Sequence, residues 1–68
     1  MDRLTLKQIA TIIGKPYGTI HQVLDEIEQN KLTAVQLVSV LNEVTEHYTL
    51  FSDEIIRACK AALHNKLN

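Results

Sequence analysis

The sequence of this 68-residue chain predicts an all-α domain of four helices. Apolar residues recur at intervals of three and four along most of the chain, which is the period of a helix with one buried face. The helix-start pattern Thr-x-x-Gln occurs three times, at Thr5, Thr19 and Thr33. No segment shows the strict apolar/polar alternation of a half-buried strand. We therefore expect one compact four-helix domain over residues 1–68, with helices at about 5–13, 16–29, 33–47 and 52–66.

The first two helices are predicted to be joined by a turn that contains glycine. Thr5 opens a capping box for the first helix, and Gly14 supplies the left-handed residue that ends it. The second helix has two candidate starts. Pro16 suits a first helical position because it lacks the N–H group that would be unpaired there, whereas a capping box at Thr19 would begin the helix three residues later.

The second half of the chain is predicted to hold the supporting helices. Thr33 and Ser52 are the expected caps, and the rings of Tyr48 and Phe51 in the connector are expected to plug the end of the bundle. The third helix is apolar over most of its girth, which is typical of a central helix or of a second interface. Because so small a domain hides only about 60% of its surface, we expect residues 33–68 to form a homodimer. The interface candidates are Val35, Val40, Val44, Ile55 and Leu63.

The charges of the chain are unevenly distributed although the formal net charge is only −1. Residues 1–24 carry three basic residues against one acidic residue, while residues 25–55 carry seven acidic residues against one lysine. The basic third is the side that suits a nucleic acid. A single cysteine, Cys59, fits a reducing cytoplasm, and no apolar run approaches the ~20 residues of a membrane span.

The sequence does not indicate an enzyme. Gly14 and Gly18 are the only glycines, and their spacing misses both nucleotide-binding fingerprints. Cys59 with His47 or His64 could in principle form a nucleophile and base, but Cys59 lies on the apolar side of its helix, where buried structural thiols are common. We expect no catalytic residues, no cofactor and no metal site.

Residues 4–24 resemble the helix-turn-helix superfamily of bacterial and phage DNA-binding proteins. The matching residues are Ile9, Ala10, Ile13, Gly14, Thr19, Ile20 and Val23. In this motif the small Ala10 lets the second helix approach the first, and the second helix keeps one face free for a DNA major groove. Lys15 and Pro16 stand where the superfamily often has a small apolar residue followed by serine or threonine.

The resemblance implies which side chains would meet DNA. The base-reading candidates on the open face of the second helix are Tyr17, Gly18, His21 and Gln22. The phosphate-contacting candidates are Arg3, Lys7, Lys15 and Thr19. Glutamine pairs bidentately with adenine, and helix N-termini suit phosphate. Asp25, one turn beyond His21, would repel phosphate and would mark where the contact ends.

Two functions therefore follow as expectations. The first is a small sequence-specific DNA-binding transcriptional regulator, which binds double-stranded DNA as a homodimer on half-sites about one helical turn apart. The alternative is an adaptor or inhibitor module that binds a protein partner on the same scaffold, which the near-neutral total charge and the acidic middle favour. The discriminating feature is whether the second helix is packed along one face or along both.

Overall fold

Four α-helices make up the computed structural model, which describes residues 3–67. The helices are α1 Leu6–Ile13, α2 Ile20–Glu28, α3 Ala34–Glu46 and α4 Ser52–Leu67. None of the described residues lies in a strand. The predicted all-α four-helix architecture is confirmed.

All three Thr-x-x-Gln patterns act as capping boxes. In each box the threonine side chain accepts a hydrogen bond from the backbone N–H of the glutamine, and the glutamine side chain accepts one from the backbone N–H of the threonine. Two N–H groups that the helix itself leaves unpaired are thereby satisfied at each start. The boxes begin α1 at Thr5, α2 at Thr19 and α3 at Thr33.

The predicted start of α2 near residue 16 is wrong, and the later start is the one observed. Thr19 is the N-cap in an extended conformation, so six residues, 14–19, connect α1 to α2. The physical reason is the cap itself, because a helix that began at Pro16 would have Lys15 as its N-cap, which offers no side-chain acceptor. Gly14 ends α1 as expected, with a left-handed φ of 87°.

The start of α4 also differs from the expectation. Ser52 is the first residue of α4, and its hydroxyl bonds backwards to Thr49, accepting from the Thr49 N–H at 2.9 Å and donating to the Thr49 carbonyl at 2.7 Å. Tyr48 and Phe51 do not plug the bundle, since both side chains are exposed. Phe51 has a φ of +59°, a left-handed conformation that is uncommon for a residue other than glycine.

The helices pack in a chain of contacts centred on α3 and α4. The α3–α4 pair is the most extensive, α1 packs on α3, and α2 packs on α4. Helices α1 and α2 make at most marginal contact, so the close approach expected at Ala10 is not seen. Gln36 joins α3 to α1 instead, because its Nε2 atom donates to the Ile13 carbonyl at 2.8 Å while its Oε1 atom accepts from the Thr33 N–H.

A single apolar core is shared by all four helices and the segments that precede α1 and α3. Its buried apolar members are Leu4, Ile9, Ile13, Ile20, Val23, Ile27, Leu32, Leu37, Val40, Val44, Ile55, Cys59 and Ala62. Cys59 is fully buried, and this burial raises the pKa of its thiol to about 11.

Most of the residues expected at the dimer interface lie in the core, so the expected interface is wrong. Val40, Val44 and Ile55 are buried inside one copy of the chain, so they have no surface to offer a partner. Leu63 is half-buried against the core, and Val35 alone of the five candidates is exposed.

We expect Thr19→Ala to lower the free energy of unfolding by about 1 kcal/mol, because the N-cap acceptor of α2 is lost. Urea denaturation followed by circular dichroism measures the change. Thr11→Ala is the matched control, since the Thr11 hydroxyl donates within α1 to the Lys7 carbonyl and caps no helix start. Equal effects of the two substitutions would contradict a helix start at Ile20.

Candidate functional site

The candidate site is a surface groove of about 490 Å³ where the N-terminal ends of α1, α2 and α4 converge. We call it the N-terminal groove. Its polar lining residues are Arg3, Thr5, Thr19, His21 and Thr49, and its apolar lining residues are Leu4, Leu6, Ile20, Leu50 and Phe51. The main chain holds the groove together, because the Leu4 N–H donates to the Tyr48 carbonyl at 2.9 Å.

The N-terminal groove is lined by one arginine and by the beginnings of three helices, although the first turn of α4 itself carries Asp53 and Glu54. Thr5 and Thr19 are the N-caps of α1 and α2, and residues 49–51 lead into α4. Each helix N-terminus carries a partial positive charge, and the Arg3 guanidinium adds a full one. Among the described residues, no aspartate or glutamate lines the groove. An anionic group would therefore be favoured near Arg3 and the beginnings of α1 and α2, whose first turns carry no acidic residue.

Exposed apolar side chains form one wall of the groove. Leu50 is 52% exposed, and the Phe51 ring lies 5.0 Å from the His21 ring, tilted by 47°. No sequence pattern had pointed to Leu50, and Phe51 was expected to plug the end of the bundle. The signal that could have found them was the break in helical periodicity at residues 47–51, since a connector rich in large apolar residues either fills the core or presents a binding surface.

The structure brings together only part of the predicted DNA-contacting set. Arg3, Thr19 and His21 meet at the N-terminal groove. Lys7 does not line this groove and instead borders a different surface pocket, to which Glu43 of α3 also contributes. Helix α2 packs along one face only, so His21 and Gln22 remain exposed.

Lys15 and Tyr17 are engaged in a separate cluster around Glu26 of α2. Lys15 Nζ lies 3.2 Å from Glu26 Oε1, and the Tyr17 hydroxyl donates to the same oxygen at 3.0 Å. Burial of the phenol, together with the neighbouring carboxylate, raises the pKa of Tyr17 to about 12. Partial burial opposes ionisation of Glu26, but hydrogen bonds from Lys15 and Tyr17 outweigh it and lower the pKa of the carboxyl.

Gln22 and Gly18 are occupied by the cap of α2. Gln22 Oε1 accepts from the Gly18 N–H at 2.6 Å and from the Thr19 N–H at 3.2 Å. The bidentate pairing with adenine that was expected of Gln22 needs this oxygen as an acceptor, so it is blocked while the cap is intact. Gly18 lies in the connector and not on the helix.

Residues 3–67 contain neither a metal-binding cluster nor a helix suited to span a membrane. No three histidine, cysteine or acidic side chains there come together as a metal site. No helix in the same range is both long and apolar enough to cross a membrane.

The sequence matches no known family model, and no significant similarity is found to curated proteins or to solved structures. The resemblance to the helix-turn-helix superfamily therefore stays a prediction from the residues alone.

The Glu26 cluster makes the stability of the protein depend on pH. The pKa of Glu26 is lower than its ordinary 4.5, so the ionised carboxylate stabilises the folded state. This stabilisation is fully present above pH 4.5 and is lost as the pH falls through the lowered pKa. We expect the denaturation midpoint of Glu26→Gln to fall less than that of the wild type between about pH 6 and about pH 3. Glu28→Gln, at an exposed position of the same helix, is the matched control. Parallel pH profiles for all three proteins would contradict the role of Glu26.

Proposed function

We propose that this chain is a small DNA-binding regulator that contacts double-stranded DNA at the N-terminal groove. The observation that carries the proposal is the meeting of Arg3, Thr19 and His21 at the N-terminal ends of α1 and α2, where no acidic side chain of residues 3–67 lines the groove. Helix N-termini and an arginine together suit a phosphate group. The resemblance of residues 4–24 to helix-turn-helix proteins supports the same function from the sequence alone, because the close packing of α1 on α2 that the motif implies is at most marginal in the structure.

The first turn of α2 supplies the base-reading contact in this proposal. His21 is exposed there and can donate to a guanine in the major groove, since the first residues of a recognition helix are those that reach base edges. Gln22 offers only its Nε2 group, because its oxygen serves the cap. Asp25 and Glu28 are exposed further along α2 and would be repelled by phosphate, which confines the contact to the beginning of the helix.

The remaining predicted contacts take revised roles. Arg3 and the N-terminal amides of α1 and α2 contact the DNA backbone, and Lys7, which lies outside the groove, takes no direct part. Lys15 and Tyr17 stabilise α2 through Glu26 and do not bind DNA directly. So few phosphate contacts give weak binding from one copy, which favours a regulator that acts as a homodimer.

Selection of bound duplexes from a random pool, followed by titration at about 50 mM and about 200 mM salt, tests the proposal. We expect Arg3→Ala to weaken binding about tenfold at the lower salt, uniformly across sequences, and to reduce the salt slope by about one per copy. His21→Ala should change the preferred base at one position.

Lys60→Ala is the control for these variants, because Lys60 is exposed on α4 outside the groove. It should leave binding within about twofold of the wild type, as an uninvolved surface cation does. Absence of binding at the lower salt would contradict the proposal, and so would equal losses from Arg3→Ala and Lys60→Ala.

A protein-binding adaptor or inhibitor is the second candidate, and the exposed apolar wall of the groove favours it. Leu50 and Phe51 beside Arg3 suit a partner segment with an apolar anchor next to a carboxylate. Affinity capture after nuclease treatment, with identification of the bound protein, tests this candidate. Leu50→Asp should lose the partner, while Leu67→Asp, at a position 84% exposed at the end of α4, should keep it. Capture that is equal for both variants would count against a protein site at the groove.

A further inference from the structure

Phe51 has an unusual backbone conformation at the edge of the N-terminal groove. Its φ of +59° lies in the left-handed region, which glycine and asparagine adopt at less cost than a residue with a bulky side chain. The side chain is 36% exposed, so core packing accounts for only part of its placement. A bulky left-handed residue at a binding surface is the kind of outlier that points to a role for its side chain.

The turn that holds Phe51 is fixed on both sides. Thr49 and Ser52 are buried and bond to each other, with the Thr49 N–H donating to the Ser52 hydroxyl at 2.9 Å and that hydroxyl donating to the Thr49 carbonyl at 2.7 Å. The Phe51 carbonyl accepts from the N–H of Ile55, a fully buried residue of α4, at 3.0 Å. Because buried neighbours hold the backbone before and after it, the ring is presented at a defined place.

The Phe51 ring lies against the side chain of His21, the second residue of α2. The two ring centroids are 5.0 Å apart and the rings are tilted by 47°. Favourable aromatic pairs have centroids about 4.5–7 Å apart and are offset or tilted in this way. Within residues 3–67 the structure shows no hydrogen bond or ion pair to the His21 side chain, so the Phe51 ring is the specific contact that can restrict the exposed imidazole.

We propose that Phe51 is a positioning residue for His21, and that its ring holds the imidazole at the N-terminal groove in the direction from which it donates to a base edge. The inference rests on the proposed function in taking His21 as the base-reading residue. A side chain that is fixed before binding loses less conformational entropy when it binds. A fixed direction also separates one base from another, because a hydrogen bond weakens steeply when it is misaligned.

Nuclear magnetic resonance of the full chain without DNA tests the contact. We expect nuclear Overhauser effects between the ring protons of Phe51 and His21. Phe51→Ala should shift the ring signals of His21. Tyr48→Ala, which removes an exposed ring of the same connector outside the groove, should leave these signals unchanged. His21 signals that move equally in the two variants, or in neither, would overturn the inference.

Phe51→Gly separates the effect of the ring from that of the backbone. Glycine adopts the left-handed conformation without strain, so Phe51→Gly should have a urea midpoint at least as high as that of Phe51→Ala. The His21 signals should nevertheless be shifted in both variants, since both lack the ring. Circular dichroism establishes that each variant keeps its helices. Wild-type His21 signals in Phe51→Gly would show that the turn and not the ring places the imidazole, which would contradict the inference.

Binding to duplexes selected by the wild type measures the consequence for specificity. Phe51→Ala should lower the preference for the selected base at the position read by His21 about threefold to tenfold, which is within the discrimination that one good base contact supplies. Affinity for unrelated duplexes should stay within about twofold of the wild type, because the phosphate contacts are unchanged. Phe51→Tyr keeps the ring and should restore the preference to within about twofold. An equal loss of affinity on all duplexes would contradict a positioning role.

These measurements distinguish failure of the inference from failure of the proposed function. A wild type that binds no duplex would contradict the DNA proposal, while the resonance measurements would still decide whether Phe51 holds His21. Duplex binding with an unchanged base preference in Phe51→Ala would overturn the inference alone.

Discussion

The fold depends on how its short helices are started. Helices α1 and α2 have 8 and 9 residues, and helices shorter than about 12 residues are marginal in water without help from their surroundings. Each is held by a capping box at its first turn and by two or three buried side chains. The box of α3 adds a tertiary contact, because the amide of Gln36 reaches the last residue of α1. Local helix initiation and the assembly of the core are thus linked through the same side chains.

This requirement limits what the same side chains can do elsewhere. Gln22 uses its oxygen to start α2, and Lys15 and Tyr17 hold the connector against Glu26. Three residues that the sequence places near a reading face are therefore committed to stability. The surface that remains available for binding lies around Arg3 and His21, at the ends of the helices and not along their length. Because so many polar side chains are engaged in stabilising contacts, the candidate binding region is small.

The sequence predicted the helices well and their faces less well. Threonine caps and Gly14 act locally, so their patterns alone located the start of α1 and α3 and the end of α1. The start of α2 had two candidates in the sequence, and the structure uses the capping box at Thr19 because Lys15 offers no side-chain acceptor to a helix that begins at Pro16. In α3 nearly every turn offers a valine or leucine, so the pattern could not decide that Val40 and Val44 face inward while Val35 and Val38 face outward. The site was harder to predict from the sequence, because the groove joins residues 3–6, 19–21 and 49–51. The proximity of these three segments is a property of the tertiary fold.

The buried cysteine can serve as a chemical probe of how the core opens. Cys59 lies on α4 in the core, and a thiol whose pKa stands near 11 is almost entirely protonated at neutral pH. An alkylating reagent can therefore reach a reactive thiolate only when α4 separates from its neighbours. With no other cysteine in the chain, the rate of labelling reports a single opening event. When reclosing is faster than alkylation, the labelling rate is proportional to the fraction of molecules in which the core has opened and exposed its apolar surface.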